Sequence, residues 1–136
     1  MSAVPLEYRE LRRFAFGDGP ALADKLVDLV VAGRKTATCM TPDNPDRPQV
    51  GERWIVLDGR GEPACVIETV ELTERRFEDV DEAFARDEGE GDRTLKTWRR
   101  NHRIYFGRLG KYEDGMTLVC ERFRLVEVLR GPGAAT

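Results

Sequence analysis

Three residues of this 136-residue sequence could carry out chemistry together: Lys35, Thr38 and Glu88. Lys35 follows a helix-ending glycine, and desolvation in a cleft would lower the pKa of its amine, which could then act as a base. Thr38 offers a hydroxyl nucleophile, provided that a neighbouring base accepts its proton. Glu88 could add a carboxylate with acid–base capacity. Together they suggest a polar cleft for a nucleotide-like ligand, with Lys35 at its rim.

Each of these residues also has an ordinary structural interpretation. A lysine at a helix C-terminus is favoured by the helix dipole and is usually solvated. A threonine in a strand is usually only a β-prone residue, and strict strand alternation would put Lys35 and Thr38 on opposite faces. An acidic run such as Asp87–Asp92 is usually an exposed connector. The cleft interpretation therefore requires irregular backbone after Gly33 and an inward-turned Glu88.

A second group of residues could contact phosphate or another part of the ligand. Arg34 and Thr36 flank Lys35, and Arg34 could add positive charge beside it. Further along the chain, helical spacing gathers four basic side chains on one face, which is usually solvated but beside a cleft is a reasonable phosphate surface. We call this face the basic stripe, and it consists of Lys96, Arg99, Arg100 and Arg103.

The elements around Lys35 are a helix, a short strand and a loop. Pro20 fits the first helical turn, apolar residues recur at helical spacing up to Val30, and Gly33 supplies the stop. A strand is predicted at residues 36–40. The proline-rich segment 41–48 is a loop that either forms a rim of the cleft or is a plain connection. Residues 1–17 suggest a short helical lead-in.

The rest of the chain predicts a hairpin, two helices and a final strand. Residues 53–58 and 64–72 alternate around a Gly-rich turn, which is typical of an antiparallel hairpin. Residues 77–85 suggest one helix, and a second begins at Asp92 and carries Trp98, His102 and Tyr105 on an apolar stripe, as core residues with a hydrogen-bonded histidine. Residues 116–128 form a long strand. This order predicts an α+β domain on a small, largely antiparallel sheet that could close into a barrel.

Composition and charge exclude several functional classes. The net charge of −3 argues against generalised capture of nucleic acid, although residues 93–111 are locally basic. No apolar run is long enough to span a membrane, and the N-terminus does not resemble a secretory signal. The three cysteines are widely spaced, which predicts reduced core residues in a cytoplasmic protein. With one histidine and no paired cysteine motif, no zinc site or other cofactor is expected; divalent metal assistance and oligomeric state stay open.

Several ordered blocks of this sequence resemble ASCH domains, which are similar to PUA domains in fold. The first block is Ala-Gly-Arg-Lys-Thr-Ala-Thr at residues 32–38. The others are Val-Gly-Glu at 50–52, the strand at 63–69, Phe-Glu-Asp-Val at 77–80, residues 88–99 and residues 119–123. The resemblance covers roughly residues 14–128 of one 1–136 domain, with residues 131–136 as a frayed tail.

The resemblance implies a β-barrel flanked by helices, with a cleft that binds RNA, and some family members are ribonucleases. It also extends distantly to the acetylcytidine amidohydrolases, which use a lysine, a threonine and a glutamate. Carried over by motif, these fall on Lys35, Thr38 and Glu88. This chain is longer than those enzymes, with an added N-terminal segment and the 41–48 loop.

Three functional hypotheses follow. The first is an ASCH-domain protein that binds RNA or a nucleotide or nucleoside in a polar cleft, with or without ribonuclease activity. The second is an amidohydrolase that deacylates a modified nucleoside such as acetylcytidine. The third is a non-catalytic interaction module.

Overall fold

The computed structural model describes residues 4–130, so the predicted tail at 131–136 lies outside the described residues. Two short 3₁₀ turns, at Leu6–Tyr8 and Phe77–Asp79, accompany the regular elements. The helices are α1 (Pro20–Val31), α2 (Glu82–Glu88) and α3 (Leu95–Arg108). The strands are β1 (Arg12–Phe14), β2 (Ala37–Met40), β3 (Arg53–Leu57), β4 (Pro63–Arg76) and β5 (Thr117–Val128).

The five strands form one mixed sheet in the order β1-β3-β4-β5-β2. The β3–β4 hairpin is antiparallel, as predicted, and β4 pairs with β5 along most of its length, from Cys65 opposite Val128 to Arg76 opposite Thr117. The edge strand β2 is antiparallel to β5, whereas β1 runs parallel to β3. The α+β class is therefore confirmed, and the sheet is largely antiparallel.

The expected barrel is wrong, because the sheet does not close within residues 4–130. The two edge strands are short: β1 has three residues and pairs only with β3, and β2 has four residues and pairs only with β5. Side chains from both edges, Phe14 on β1 and Thr38 on β2, instead line a common cavity. The cleft therefore lies in the gap between the two edge strands, β1 and β2.

The helices agree with the sequence except near their ends. Helix α1 has the predicted proline at its start, and Gly33 takes the left-handed conformation just past its end. Of the lead-in expected at residues 1–17, the described part, residues 4–17, contains a 3₁₀ turn and then β1, a strand that the sequence did not indicate. The helix expected at 77–85 is split, and Glu88 belongs to α2 as its last residue, not to an exposed connector. Helix α3 begins after its cap, Thr94, and not at Asp92.

Three apolar clusters form the core of the described residues, and two of them border the cleft. The first joins α1 to β3, β4 and β5 through residues such as Val27, Val56 and Ile67. The second joins α2 and α3 to β2 and β5 through Phe84, Trp98 and Leu118. The cavity lining takes Phe16 and Trp54 from the first cluster and borders on Cys39 and Tyr105 of the second, so the cleft lies where the two meet.

Candidate functional site

The backbone after α1 turns Lys35 into the protein. The amides of Arg34 and Lys35 both donate to the Leu29 carbonyl, at 2.9 and 3.0 Å, and regular strand geometry begins only at Ala37. The irregular backbone required by the cleft interpretation is therefore present. Lys35 is only 1% exposed, however, so its expected position at a rim is wrong.

The Lys35 ammonium is fully engaged by neighbouring groups. Its Nζ donates to the Ala37 carbonyl at 2.9 Å, and it lies 2.8 Å from a Glu90 carboxylate oxygen and 3.3 Å from Glu88 Oε1. The Phe16 ring lies 5.4 Å away, within cation–π range. The Lys35 ammonium is therefore held by two carboxylates and is not free to act as a base without a change in these contacts.

Glu88 is buried at the end of α2, where the chain turns back at Gly89 in the left-handed conformation. One carboxylate oxygen faces Lys35, and the other accepts a hydrogen bond from Trp98 Nε1 at 2.9 Å. His102 Nε2 lies 3.6 Å from Oε1, and the ring stacks on Trp98 with 4.2 Å between centroids. The two predicted residues, 53 positions apart, thus meet as part of a buried network.

Burial and pairing act against each other on the pKa values in this network. Burial opposes ionisation of Glu88, but Lys35 and His102 outweigh it and lower the Glu88 pKa. Burial would also lower the Lys35 pKa, whereas Glu88 and Glu90 raise it overall. The His102 pKa is raised because Glu88 more than compensates for desolvation. The ionised pair is therefore the stable form, and a neutral Lys35 amine is disfavoured.

Thr38 lies apart from this network although it borders the same space. It sits on β2, half-buried, directly across the ladder from Glu121. Within residues 4–130 its hydroxyl has no hydrogen bond to Lys35 or Glu88. Among the described residues, the structure therefore brings Lys35 and Glu88 together and leaves Thr38 on the cavity wall without a hydrogen bond to either.

Arg34 and Thr36 are bound to the segment that follows α2. Arg34 donates to the Gly89 and Gly91 carbonyls at 2.9 and 3.1 Å, and the Thr36 amide donates to the Asp87 carbonyl at 2.7 Å. Both residues hold the α1–β2 junction against the α2–α3 connection. They therefore stabilise the backbone that carries Lys35 and Glu88.

The basic stripe faces away from the cavities. Arg99 donates to the Glu78 carbonyl, and the Arg103 guanidinium lies over the Phe77 ring and contacts Tyr112. Neither cavity at the cleft is lined by the stripe, since α3 presents to them Asn101, His102, Ile104, Tyr105 and Arg108.

Two adjoining cavities make up the cleft between the sheet edges. One of about 380 Å³ reaches toward α1 and α3 and is bordered by Glu88, His102 and Arg108. The other, about 200 Å³, reaches toward β3 and β5 and is bordered by Trp54 and Glu121. The two share Phe16, Gly17, Thr38, Cys39 and Tyr105. Loop residues Asn44, Asp46 and Pro48 border the smaller cavity, which agrees with the rim alternative for the 41–48 loop.

The comparison with known families decides the family of this chain. The family model described as the ASCH domain matches residues 12–127. The chain belongs to the ASCH domain family. The resemblance found in the sequence blocks is thereby confirmed.

Solved structures agree with this ASCH assignment. An ASCH domain from Lactobacillus crispatus JV V101 is 32% identical, with a TM-score of 0.79 over 89% of this chain and 82% of that chain. A protein from Enterococcus faecalis V583 is also 32% identical, with a TM-score of 0.78 over 87% and 77% of the two chains. An ASCH protein from Zymomonas mobilis, at 10% identity and a TM-score of 0.57 over 88% and 71%, shows the shared fold alone.

A search of curated proteins found no match to this ASCH domain. None of the helices within residues 4–130 has the length and apolar character needed to cross a bilayer.

Sequence reasoning missed several residues that border the ASCH cleft. Glu121 is 4% exposed, and its place between Val119 and Phe123 on the inward face of an alternating strand is the signal that could have revealed a buried carboxylate. The sequence indicates Glu90 only as part of an acidic run. His102 does hydrogen-bond the Trp98 carbonyl, at 2.8 Å, but it also borders the larger cavity.

Three possible metal ligands converge beside the network. Atoms of Cys39, Glu88 and His102 lie within 4.8 Å of one another. The Cys39 thiol has a pKa well above its usual value because of burial and the nearby Glu88 carboxylate, and the Lys35 ammonium already neutralises that carboxylate. The donor set is therefore poorly suited to a cation while the ion pair is intact.

Proposed function

We propose that this ASCH domain binds RNA, or a nucleotide or nucleoside, by holding a base in the cleft between β1 and β2. The observation that carries the proposal is the composition of the cleft. Phe14, Phe16 and Tyr105 provide aromatic surface, and Thr38 and Glu121 provide hydrogen-bonding groups beside it. Single-stranded RNA is recognised by this combination of stacking and polar contacts to base edges.

The charges around the cleft fit a ligand whose phosphate remains near the mouth. Lys25 and Arg108 border the larger cavity, and Arg108 is paired with Asp18 at 3.0 Å on the surface. The buried Lys35 is neutralised by Glu88 and Glu90 and so contributes no free charge to a phosphate. In this proposal the Lys35 network fixes the cleft wall, and the base enters the space next to it.

A binding measurement with matched aromatic variants tests the proposal. Fluorescence anisotropy with short single-stranded RNA should give saturable binding by the wild type. Tyr105→Leu, which removes a ring from the cleft, should weaken it by roughly tenfold, as expected for loss of one stacked base. Tyr112→Leu removes a partly buried ring outside the two cavities and should bind like the wild type. Equal affinities for all three proteins would count against the cleft as the binding site.

Hydrolysis of RNA or of a nucleoside amide such as acetylcytidine is a second candidate. It is favoured by one observation, that Thr38 borders the same cavity as Glu88. A bound ligand would have to supply or position the base that Thr38 lacks. Incubation with acetylcytidine and with RNA, beside a Thr38→Val variant of nearly equal shape, tests it: turnover by the wild type alone would support the hydrolase, and no turnover by either protein would reject it.

A further inference from the structure

A carboxyl group lies at the floor of the smaller cavity with one oxygen uncommitted. Glu121 Oε2 accepts a hydrogen bond from the Thr69 hydroxyl at 2.6 Å. Among residues 4–130 no protein group hydrogen-bonds its other oxygen, yet the side chain borders the cavity between the two sheet edges. That oxygen retains solvent contact, and the cavity is the space from which a hydrogen-bond partner can come.

One residue that lines the same cavity also carries a buried polar atom without a partner. The Trp54 indole Nε1 is buried and has no hydrogen-bond acceptor within the described residues. Its ring is fixed by edge-on contact with Phe14, at 5.5 Å between centroids, and by the Arg12 guanidinium at 4.2 Å. Aromatic side chains and an incompletely bonded carboxyl together resemble the pockets in which proteins hold an unstacked base by its edge.

We propose that Glu121 is the base-reading residue of the cleft and that it selects a base edge in which a ring nitrogen acceptor adjoins an amino donor, as in cytosine and adenine. The inference rests on the proposed function and names its substrate class. A neutral carboxyl group donates through its O–H to the ring nitrogen and accepts from the amino group. An ionised carboxylate has only acceptors and instead matches the two adjacent donors of guanine.

The surroundings of Glu121 keep a large share of its carboxyl group neutral up to about neutral pH. Burial raises its pKa to about 7, and the hydrogen bond from Thr69 and the charge of Lys35 only partly oppose this, while Glu52 adds to it. Asp46 from the loop and Tyr105 from α3 border the same cavity, and Thr38 and Leu72 are its cross-strand neighbours. Among these neighbours Lys35 is a cation, and its charge is shared with two other carboxylates.

Nucleoside binding at two pH values tests the inference. Cytidine, adenosine, guanosine and uridine are used, since a nucleotide phosphate itself titrates in this range, and binding is followed by NMR chemical shifts at pH 6 and pH 8. The wild type should bind cytidine and adenosine roughly tenfold more tightly at pH 6 than at pH 8, because the required proton is lost across the pKa. Glu121→Gln, whose amide keeps a donor and an acceptor at every pH, should bind them equally at both values.

Two further variants make the outcomes decisive. Glu121→Leu keeps the bulk of the side chain and should lose the preference for cytidine and adenosine. Glu71→Gln removes an exposed carboxylate outside both cavities and should behave as the wild type. Retention of the preference and of the pH dependence by Glu121→Leu would overturn this inference and leave the proposed function standing. Failure of the wild type to bind any nucleoside or RNA would instead overturn the proposed function, and the inference with it.

Discussion

At the scale of single residues, the most informative side chain is Lys35. A lysine buried to this degree costs several kcal/mol in desolvation, and the two carboxylates and the Ala37 carbonyl offset that cost. Its motif position resembles a catalytic lysine, but its contacts are those of an internal brace. The sequence could predict that Lys35 and Glu88 meet. It could not predict how deeply the pair is buried, because that depends on the contacts of Glu90 with Lys35 and of Trp98 with Glu88.

Removal of the Lys35 charge should destabilise the whole domain. Lys35→Met leaves Glu88 buried without a counter-charge, so the free energy of unfolding in urea should fall by about 3–5 kcal/mol. The double variant Lys35→Met, Glu88→Gln should recover part of that loss. Unchanged stability of the single variant would contradict a stabilising role for the buried Lys35 ion pair. It would favour the solvent-accessible rim position that was expected from the sequence.

His102 should make stability fall as the pH rises through neutrality. Its folded-state pKa is raised above the ordinary value near 6.5, so the imidazolium stabilises the folded state fully below that value, and this stabilisation is lost as pH passes the folded pKa. NMR titration of the single histidine should show the raised pKa, and Glu88→Gln should lower it. A histidine that titrates at or below 6.5 in the wild type would contradict the contact with Glu88.

At the scale of elements, the end of α2 sets the position of the candidate site. Gly89 takes a left-handed conformation, and a Cβ there would overlap the Arg34 carbonyl oxygen. Helical periodicity predicted α1 and α3 because their apolar stripes are long. It misplaced Glu88 because α2 has only seven residues, and its end is defined by the close approach to the α1–β2 junction. Strand β1, with three residues, is likewise too short to show alternation.

Two glycine variants separate backbone strain from this close approach. Gly33→Ala introduces a left-handed alanine into open space and should cost roughly 1–2 kcal/mol. Gly89→Ala has a similar φ but also meets backbone, so its unfolding free energy should fall by roughly 1–3 kcal/mol more. Thermal and urea unfolding of both variants give the comparison, and equal losses would mean that the junction relaxes without resistance.

At the scale of the whole molecule, the fold class and the β3–β4 hairpin followed from sequence patterns, whereas the other strand pairings and the open sheet did not. Alternation of apolar and polar residues identifies strands. It carries no information on whether the two edge strands, β1 with three residues and β2 with four, pair with each other and close the sheet. The aromatic cleft depends on that open gap, so Trp54 and Glu121 could not be assigned to a site from spacing alone. The net charge of −3 also leaves binding to depend on local features.

The basic stripe should affect long RNA and not nucleosides. It lies on the side of α3 away from the cleft, so the double variant Arg100→Gln, Arg103→Gln should leave cytidine affinity unchanged. If RNA extends around α3, the slope of log affinity against log salt concentration should become less steep by about one for each phosphate that the variant no longer neutralises. An unchanged slope would show that RNA follows another path from the cleft.

The smaller cavity has a consequence for the timing of synthesis. Its walls come from the beginning, the middle and the end of the chain: Phe14, Trp54, Tyr105 and Glu121. A ribosome-bound chain that has not yet released β5 lacks the floor of the cavity, however well α1 and the hairpin have already folded. Ligand recognition is therefore acquired only after β5 has been synthesised and released, and no nascent fragment that ends before β5 should retain a nucleoside.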